Sequence, residues 1–483
     1  MSPPPTINQS ELLQRLSHLL GSNLIAGHQL TEPLSEPRGM FTGQPLAIAH
    51  PVSRAEVVEI VKSCAAAKVS IVPQGGNTGL TGASMPDTAY QSLLLNLSRL
   101  DQIRSIDIDG DTLIAEAGSV VATIQQNAEQ AGRLFPLSFA ADGSAQIGGA
   151  ISTNAGGTNV LRYGNTRELV RGLEVVLPDG ELLDDLRGLR KDNTGYNLSN
   201  LFIGAEGTLG VITAASLKLF PLPRQRVTAW VAPVNIDQAL KLLSSLQQLT
   251  NGAVSGCELL SSTAMEFVSR HLDIQLPLQD NPPWQLLLEL TDPDQQRPLM
   301  TMLETTLTAA LTEGSISDAV IAQNLRQGNE FWRLREAVSE SQKYEGASIK
   351  HDVALPLNRL AEFVSATLPL LAKQLPGVRP CVFGHLGDGN LHFNLSQPPG
   401  METARFLDQW QSFNRLVHDQ VDRFGGSISA EHGIGQLKKT ELQHYKSPVA
   451  LKLMQQVKRA IDPHNLMNPG KVLSDTESDS TPP

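Results

Sequence analysis

Five of the eleven histidines fall between positions 351 and 432, and three of these sit in glycine-rich segments. The segment Gly384-His-Leu-Gly-Asp-Gly-Asn-Leu-His-Phe-Asn394 is nearly symmetric about Gly387–Asn390, four residues with turn chemistry. A hairpin folded there sets Leu386 opposite Leu391 and His385 opposite His392, with β-carbons roughly 5 Å apart. Two imidazoles so placed can bind one metal ion; two unrelated hairpin histidines are the plainer alternative. Ser429-Ala-Glu-His-Gly-Ile-Gly435 supplies two more candidates. Neighbours in a strand point to opposite faces, so Glu431 and His432 divide the work, Glu431 as a third ligand and His432 acting on a substrate. Two His and one carboxylate make a catalytic set for zinc, or for iron or manganese. A helix-start or strand-end pair is the alternative for Glu431 and His432.

A carboxylate grip is also written in the chain. Trp332-Arg-Leu-Arg-Glu336 opens a helical stretch in which Arg335 and Ser339, four apart, share a face. Arginine suits bidentate carboxylate recognition. Lys350 lies on an expected strand, Ser348–Leu355, where Ile349, His351, Val353 and Leu355 alternate with Ser348, Lys350, Asp352 and Ala354. His351, on the apolar face, reads as packed. The alternative for the cations is an exposed helix face and a Lys350–Asp352 surface pair.

Elements must hold these groups. Residues 46–76 read strand, helix, strand: Leu46–Ala49, then Val57–Lys68 behind a capping-box pattern at Ser53 and Glu56, then Val69–Val72. Three glycine-rich stretches follow: Pro73–Gly82, 143–157 and Ile203–Thr213. Glycine lets backbone amides approach an anion, so Gly75, Gly76 and Gly79 after a strand can cradle a pyrophosphate; a plain turn is the alternative. The spacing fits neither the Rossmann nor the P-loop pattern. From 225 to 380 glycine thins and helices are expected at Ile236–Leu249 and Pro298–Leu311. The expected organisation is an N-terminal arm (1–40, with a helix near Glu11–Leu20), a cofactor domain (41–223), a substrate or cap domain (224–425), a C-terminal site segment (426–473) and a disordered acidic tail (474–483).

Bulk properties narrow the class. A chain of 483 residues needs more than one core. A net charge of -11 argues against a nucleic-acid partner. Three scattered cysteines form neither a disulfide framework nor a metal pair. Neither a secretory signal nor a transmembrane stretch is legible, so the expected compartment is the cytoplasm.

The glycine loops, taken in order, resemble the FAD-binding domain of the vanillyl-alcohol-oxidase / p-cresol-methylhydroxylase (PCMH) superfamily, over about residues 40–475. The resemblance implies an α+β fold, with a two-subdomain PCMH-type FAD-binding domain, an α+β cap domain and a C-terminal segment returning to the flavin. It implies that Pro73, Gly75, Gly76, Asn77, Thr78 and Gly79 hold the FAD pyrophosphate. Gly148, Gly149, Asn154 and Gly157 would line the flavin, and Glu206, Gly207 and Ile212 the adenosine side. Asn77 stands where many covalent members carry histidine, which implies non-covalent FAD. Asp462-Pro and Asn468-Pro-Gly-Lys471 match the segment that returns to the flavin, Asn468 among the cofactor contacts.

The histidine segments are similar to those of the FAD-linked D-2-hydroxy-acid dehydrogenases, and Arg335, Ser339 and Lys350 resemble the D-2-hydroxyglutarate branch. Matching positions then imply zinc or another divalent metal on His385, His392 and Glu431, a substrate contact at Asn394 and a catalytic base at His432. Arg335, Ser339 and Lys350 would grip a dicarboxylate. The implied reaction is oxidation of D-2-hydroxyglutarate to 2-oxoglutarate, with D-lactate or D-malate as alternatives. Electrons would pass to an electron-transfer flavoprotein or a quinone, and a homodimer is an allowed assembly. Two rivals of other classes are a flavin-binding electron carrier and a non-flavin sugar-nucleotide binder.

Overall fold

The computed structural model describes residues 7–474 apart from 31 and 37; the tail from 475 on, where disorder is expected, lies outside the described residues. The fold is α+β, and the chain divides into two compact units. The first comprises 1–155, 165–220 and 431–483, the second 156–164 and 221–430.

The larger sheets of the first unit have four and five strands. In one, the parallel strands Ala47–Ala49, Ser92–Asn96 and Ser70–Gln74 are extended by antiparallel Leu24–Ala26. Its parallel strands are almost wholly buried, as expected for strands covered on both faces. The helix Arg54–Ala67 bridges two of them. Ser53 caps it by accepting from the Glu56 amide, but the Glu56 carboxylate takes the Val52 amide, one residue before the reciprocal position of a capping box. The second sheet is antiparallel, in the order Leu182–Asp184, Val170–Val176, Val211–Lys218, Thr112–Glu116, Ile103–Asp107. The C-terminal segment joins the first sheet: Ile71 donates to the Leu466 carbonyl and Asn468 donates back to the Ile71 carbonyl.

The second unit is built on one eight-stranded antiparallel sheet. Its main path runs Ile316–Ile321, Gln225–Pro233, Trp284–Asp292, Val254–Ser261, Arg379–His385, Asn390–Ser396, Ser348–Ile349, and Asp352–Ala354 also pairs with Asn390–Ser396. The helix Leu325–Ser341 lays Phe331, Leu334 and Val338 against Trp230, Leu260 and Phe383 of the sheet. These helix residues follow the i, i+3, i+7 spacing of a core-facing stripe. Arg335, at i+4, belongs to the same stripe and is buried with it. The helices at 236–249 and 299–312 lie within one residue of their expected positions.

Candidate functional site

The predicted site residues fall into two groups, one in each unit. In the first unit the glycine strand and loops are backed by residues in left-handed conformation. Asn77, Asn154, Glu206 and Asn468 all have positive φ, between 44° and 53°. Such φ values are uncommon outside glycine and cluster at ligand sites. Side chains hold these turns: Ser84 donates to Asn77 Oδ1 at 2.8 Å, and the Arg167 amide to Asn154 Oδ1 at 2.9 Å. Asn468 Nδ2 donates to the carbonyls of Ala83 and Glu206. Pro73 lies within the strand Ser70–Gln74, one residue before its end, and abuts Gly207; Gly148 abuts Ala117. Thr78 is half-buried in the loop, and Ile212 is buried opposite Val175. Gly157 falls at the start of the second unit's short 156–164 piece.

These residues fit a dinucleotide. A side chain at Gly76 would sit 2.1 Å from the Ser144 carbonyl, so the loop lies against the 144–146 segment. Gly79 and Gly149 differ, for a Cβ there meets no protein atom within 4 Å and neither has positive φ. Nothing in the protein itself requires glycine at these two, which leaves bare backbone accessible to a ligand. Gln146 Oε1 and Asn468 Oδ1 are buried acceptors with no hydrogen-bond partner among the described residues.

Glu206 has a role the sequence does not announce. Its two carboxylate oxygens accept the amides of Ile434 and Gly435 at 2.7 and 2.8 Å, tethering the loop that carries Glu431 and His432. Burial pushes its carboxyl up to about 7 against the pull of those amides. Thr81 Oγ1 donates to the His432 carbonyl at 3.3 Å. Glu431 and His432 are half-buried, and the chain there is a bend. Strand alternation therefore does not separate the two side chains as the sequence argument supposes.

In the second unit His385, His392 and Asn394 lie on one sheet face, with Arg335 reaching it from the helix packed against it. The expected hairpin forms, but its register differs by two: Phe383, not His385, lies opposite His392, and the loop is Leu386–Gly389. The cause is local. The Leu386 amide donates to the Cys257 carbonyl of the neighbouring strand instead of pairing with Leu391. Gly389, at φ 80°, passes so close to the Leu355 carbonyl that a Cβ would lie 2.1 Å from it. A shift of two keeps both histidines on one face. Their rings are 5.9 Å apart between centroids, and their ligand atoms lie within 4.8 Å.

Each histidine has an acid directly across the sheet: Glu258 opposite His385, and Asp352 opposite His392. Glu258 Oε1 bonds His385 Nδ1 at 2.7 Å, while Glu258 Oε2 accepts from Arg335 Nε at 2.7 Å. Burial alone would raise this fully buried carboxyl; His385 and Arg335 outweigh it and hold it at about 2. The Arg335 guanidinium lies 5.0 Å over the Phe383 ring. Its terminal nitrogens make no hydrogen bond among the described residues. Asn394 is buried, donating to Gln342 Oε1 and accepting from the His351 amide.

Ser348–Leu355 is not one strand. The His351 ring nitrogen Nδ1 takes the Phe393 carbonyl, which a ladder would give to a backbone amide, and the strand breaks at Lys350–His351. Register is nonetheless constant on both sides of the break, which sets Lys350 across from Asn394. Lys350 and Ser339 are exposed, and His351 is packed against His418. Asp352 is 2% exposed, so the alternative of a Lys350–Asp352 surface pair does not hold. Glu258 and Asp352 are the site residues that sequence reasoning misses. The only signal for Glu258 is one acid inside the apolar run Cys257–Leu260.

Among the described residues no helix is long and apolar enough to cross a membrane. Residues 45–185 match the FAD binding domain family, and residues 222–472 match the C-terminal domain of FAD linked oxidases. The mitochondrial D-2-hydroxyglutarate dehydrogenase of Arabidopsis thaliana is 36% identical over 435 residues, which are 90% of this chain and 76% of that one. The D-2-hydroxyglutarate dehydrogenase of Xanthomonas citri pv. viticola is 37% identical over 89% of this chain and 90% of its own. The solved structure of p-cresol methylhydroxylase with substrate bound shares the fold, with a TM-score of 0.72 over 96% of each chain at 17% identity. The chain belongs to the FAD-linked oxidase family, in its D-2-hydroxy-acid dehydrogenase branch, and is an FAD-linked dehydrogenase acting on a CH–OH donor.

Proposed function

We propose that this enzyme oxidises D-2-hydroxyglutarate to 2-oxoglutarate, with FAD bound non-covalently and a divalent metal, zinc by preference, on His385, His392 and Glu431. The observation that carries the reading is Arg335. A buried guanidinium anchored through Nε keeps its two terminal nitrogens for a carboxylate, on the sheet face that also bears His385, His392 and Asn394. Lys350, across from Asn394 in register, is the second cation that a dicarboxylate requires. Relatives named for this substrate support the choice.

The bound groups supply hydride acceptance at the flavin and Lewis acidity at the substrate hydroxyl. His432 takes the hydroxyl proton, a contribution of about 10²–10⁴ in rate. Arg335, Ser339, Lys350 and Asn394 hold the two carboxylates. On the first unit, the Pro73–Gly79 loop meets the pyrophosphate. Gly148, Gly149, Asn154, Gly157 and Asn468 face the flavin, and Glu206, Gly207 and Ile212 stand behind the adenosine end. Asn77 cannot form a histidyl–flavin bond, so acid precipitation should release the yellow colour into the supernatant. Electrons leave to an electron-transfer flavoprotein or a quinone rather than NAD.

The deciding experiment compares kcat/KM for D-2-hydroxyglutarate, D-malate and D-lactate, before and after chelation. Donors built for a second carboxylate are left unpaired by an analogue that lacks it, so D-lactate should be used far less well. Lys350→Ala should lower kcat/KM for hydroxyglutarate far more than for lactate. Equal use of D-lactate by the wild type would reassign the substrate, and full turnover in metal-free protein would remove the metal.

A further inference from the structure

Glu258 hydrogen-bonds both kinds of group the proposed reaction needs, a histidine assigned to the metal and an arginine assigned to the substrate carboxylate. It lies in a strand whose every residue is buried. Its own exposure is 0%, and a lone carboxylate there would be costly. Its two oxygens are divided, Oε1 to His385 Nδ1 and Oε2 to Arg335 Nε, each at 2.7 Å. An ionised carboxylate only accepts hydrogen bonds, so the His385 proton must sit on Nδ1. That fixes the tautomer and leaves the Nε2 lone pair as the atom able to bind a metal. A carboxylate behind a ligating imidazole also fixes the ring's orientation and raises its basicity. On the other side, engaging Arg335 through Nε consumes the one guanidinium edge that a bidentate substrate carboxylate does not need.

We propose that Glu258 is a positioning residue shared by the two halves of the site, setting His385 as a metal ligand and Arg335 as a carboxylate fork through a single buried carboxylate. The inference rests on the metal reading proposed above. The same helix and strand packing that buries Phe331, Leu334 and Phe383 sets the distance between the two partners. Metal affinity and substrate affinity are thereby tied to one side chain that contacts neither metal nor substrate.

The test uses the FAD-loaded full-length enzyme, with zinc affinity measured by competition against a chromophoric chelator and KM measured separately. Glu258→Gln keeps the shape but cannot accept from both partners. It should bind zinc about 10–100-fold more weakly than wild type and raise KM for D-2-hydroxyglutarate, with flavin content retained. Arg335→Met, which leaves the Glu258–His385 bond in place, should raise KM while zinc affinity stays within a few-fold. Zinc affinity and KM both unchanged in Glu258→Gln would overturn the inference and leave the metal reading intact. A wild type that binds no zinc would overturn both. Should Glu258→Gln lose its flavin or melt early, Glu258→Asp keeps the buried charge but is one methylene too short to hold both partners, and it carries the same zinc and KM readouts.

Discussion

Glu206 in the first unit and Glu258 in the second are both buried, at 5% and 0% exposure, yet their carboxyls sit on opposite sides of the ordinary range, pushed up to about 7 and held at about 2. Burial raises both. The difference is in what faces the oxygens. Glu206 meets two backbone amides, which are dipoles. Glu258 meets an arginine and a histidine, one on each oxygen. The two units build their sites in correspondingly different ways. The first relies on backbone: left-handed asparagines, bare glycines and a carboxylate used as a tether. The second relies on charged side chains set by β-register. Backbone sites suit a large anion bound along a wall, and side-chain pairs suit a small substrate that must be oriented.

The largest expected effect breaks the second arrangement. Arg335→Met leaves Glu258 buried with one partner fewer, and removing one member of a buried pair costs about 3–5 kcal/mol. Urea unfolding at neutral pH should show a loss of that order. Adding Glu258→Leu to Arg335→Met should recover most of the stability while kcat/KM stays low, because well-packed apolar groups replace a buried pair at little cost. No recovery in the double variant would mean that the helix–sheet packing, not the charge, is what Arg335 maintains.

The two glutamates should also give stability opposite pH dependence. The folded-state pKa of Glu258 is depressed from 4.5 to about 2, so its contribution is complete above about 4.5 and is lost as pH falls toward 2. That of Glu206 is raised from 4.5 to about 7, so its contribution is complete below about 4.5 and is lost as pH rises through 7. Each shift corresponds to roughly 3 kcal/mol across its window. Melting temperatures of wild type, Glu258→Gln and Glu206→Gln, taken between pH 3 and pH 8, check this. The wild type should lose ground to Glu206→Gln above pH 5, and to Glu258→Gln below pH 4.5. Parallel profiles would show that the partners do not decide the acidity.

What the sequence reveals follows the same division. The glycine loops are legible because tight backbone geometry demands particular residue types, and those types appear in the chain. Asn77, Asn154 and Asn468 are conspicuous for that reason. His385 and His392 are legible as a pair because a hairpin of either register keeps them on one face. The register itself is not legible, because it is set by Leu386 donating to Cys257, a residue well over a hundred positions away. Arg335 is visible as a carboxylate-binding candidate, but its burial on the apolar stripe beside a buried acid is not. Which acid is not visible: Val254–Ser261 is covered on both faces, so no alternation assigns Glu258 a side. Strand alternation misjudges Ser348–Leu355 for a related reason, since a histidine ring replaces a backbone donor at the break.

The smallest expected effect sharpens the backbone side of the comparison. Gly149 lies inside the short helix Ile147–Ser152, without positive φ and with no protein atom near a would-be Cβ. Glycine within a helix costs about 0.5–1 kcal/mol relative to alanine, so on protein grounds Gly149→Ala should be neutral or slightly stabilising in the flavin-free protein. If the bare backbone is kept for FAD, the added methyl should instead weaken FAD binding. Linkage then predicts a crossing. The variant melts at or above wild type without flavin and below it with saturating-for-wild-type flavin, because the ligand's stabilisation depends on its affinity. Gly79→Ala tests the same idea in the loop, where no helix gain is expected. Ser339→Ala is the contrasting control in the second unit, exposed on its helix and remote in sequence from the glycine loops, and it should leave flavin binding unchanged. Unaltered FAD affinity in both glycine variants would mean that the open space at these backbones is not where the cofactor lies, and the wall would have to be redrawn around the orphaned acceptors of Gln146 and Asn468.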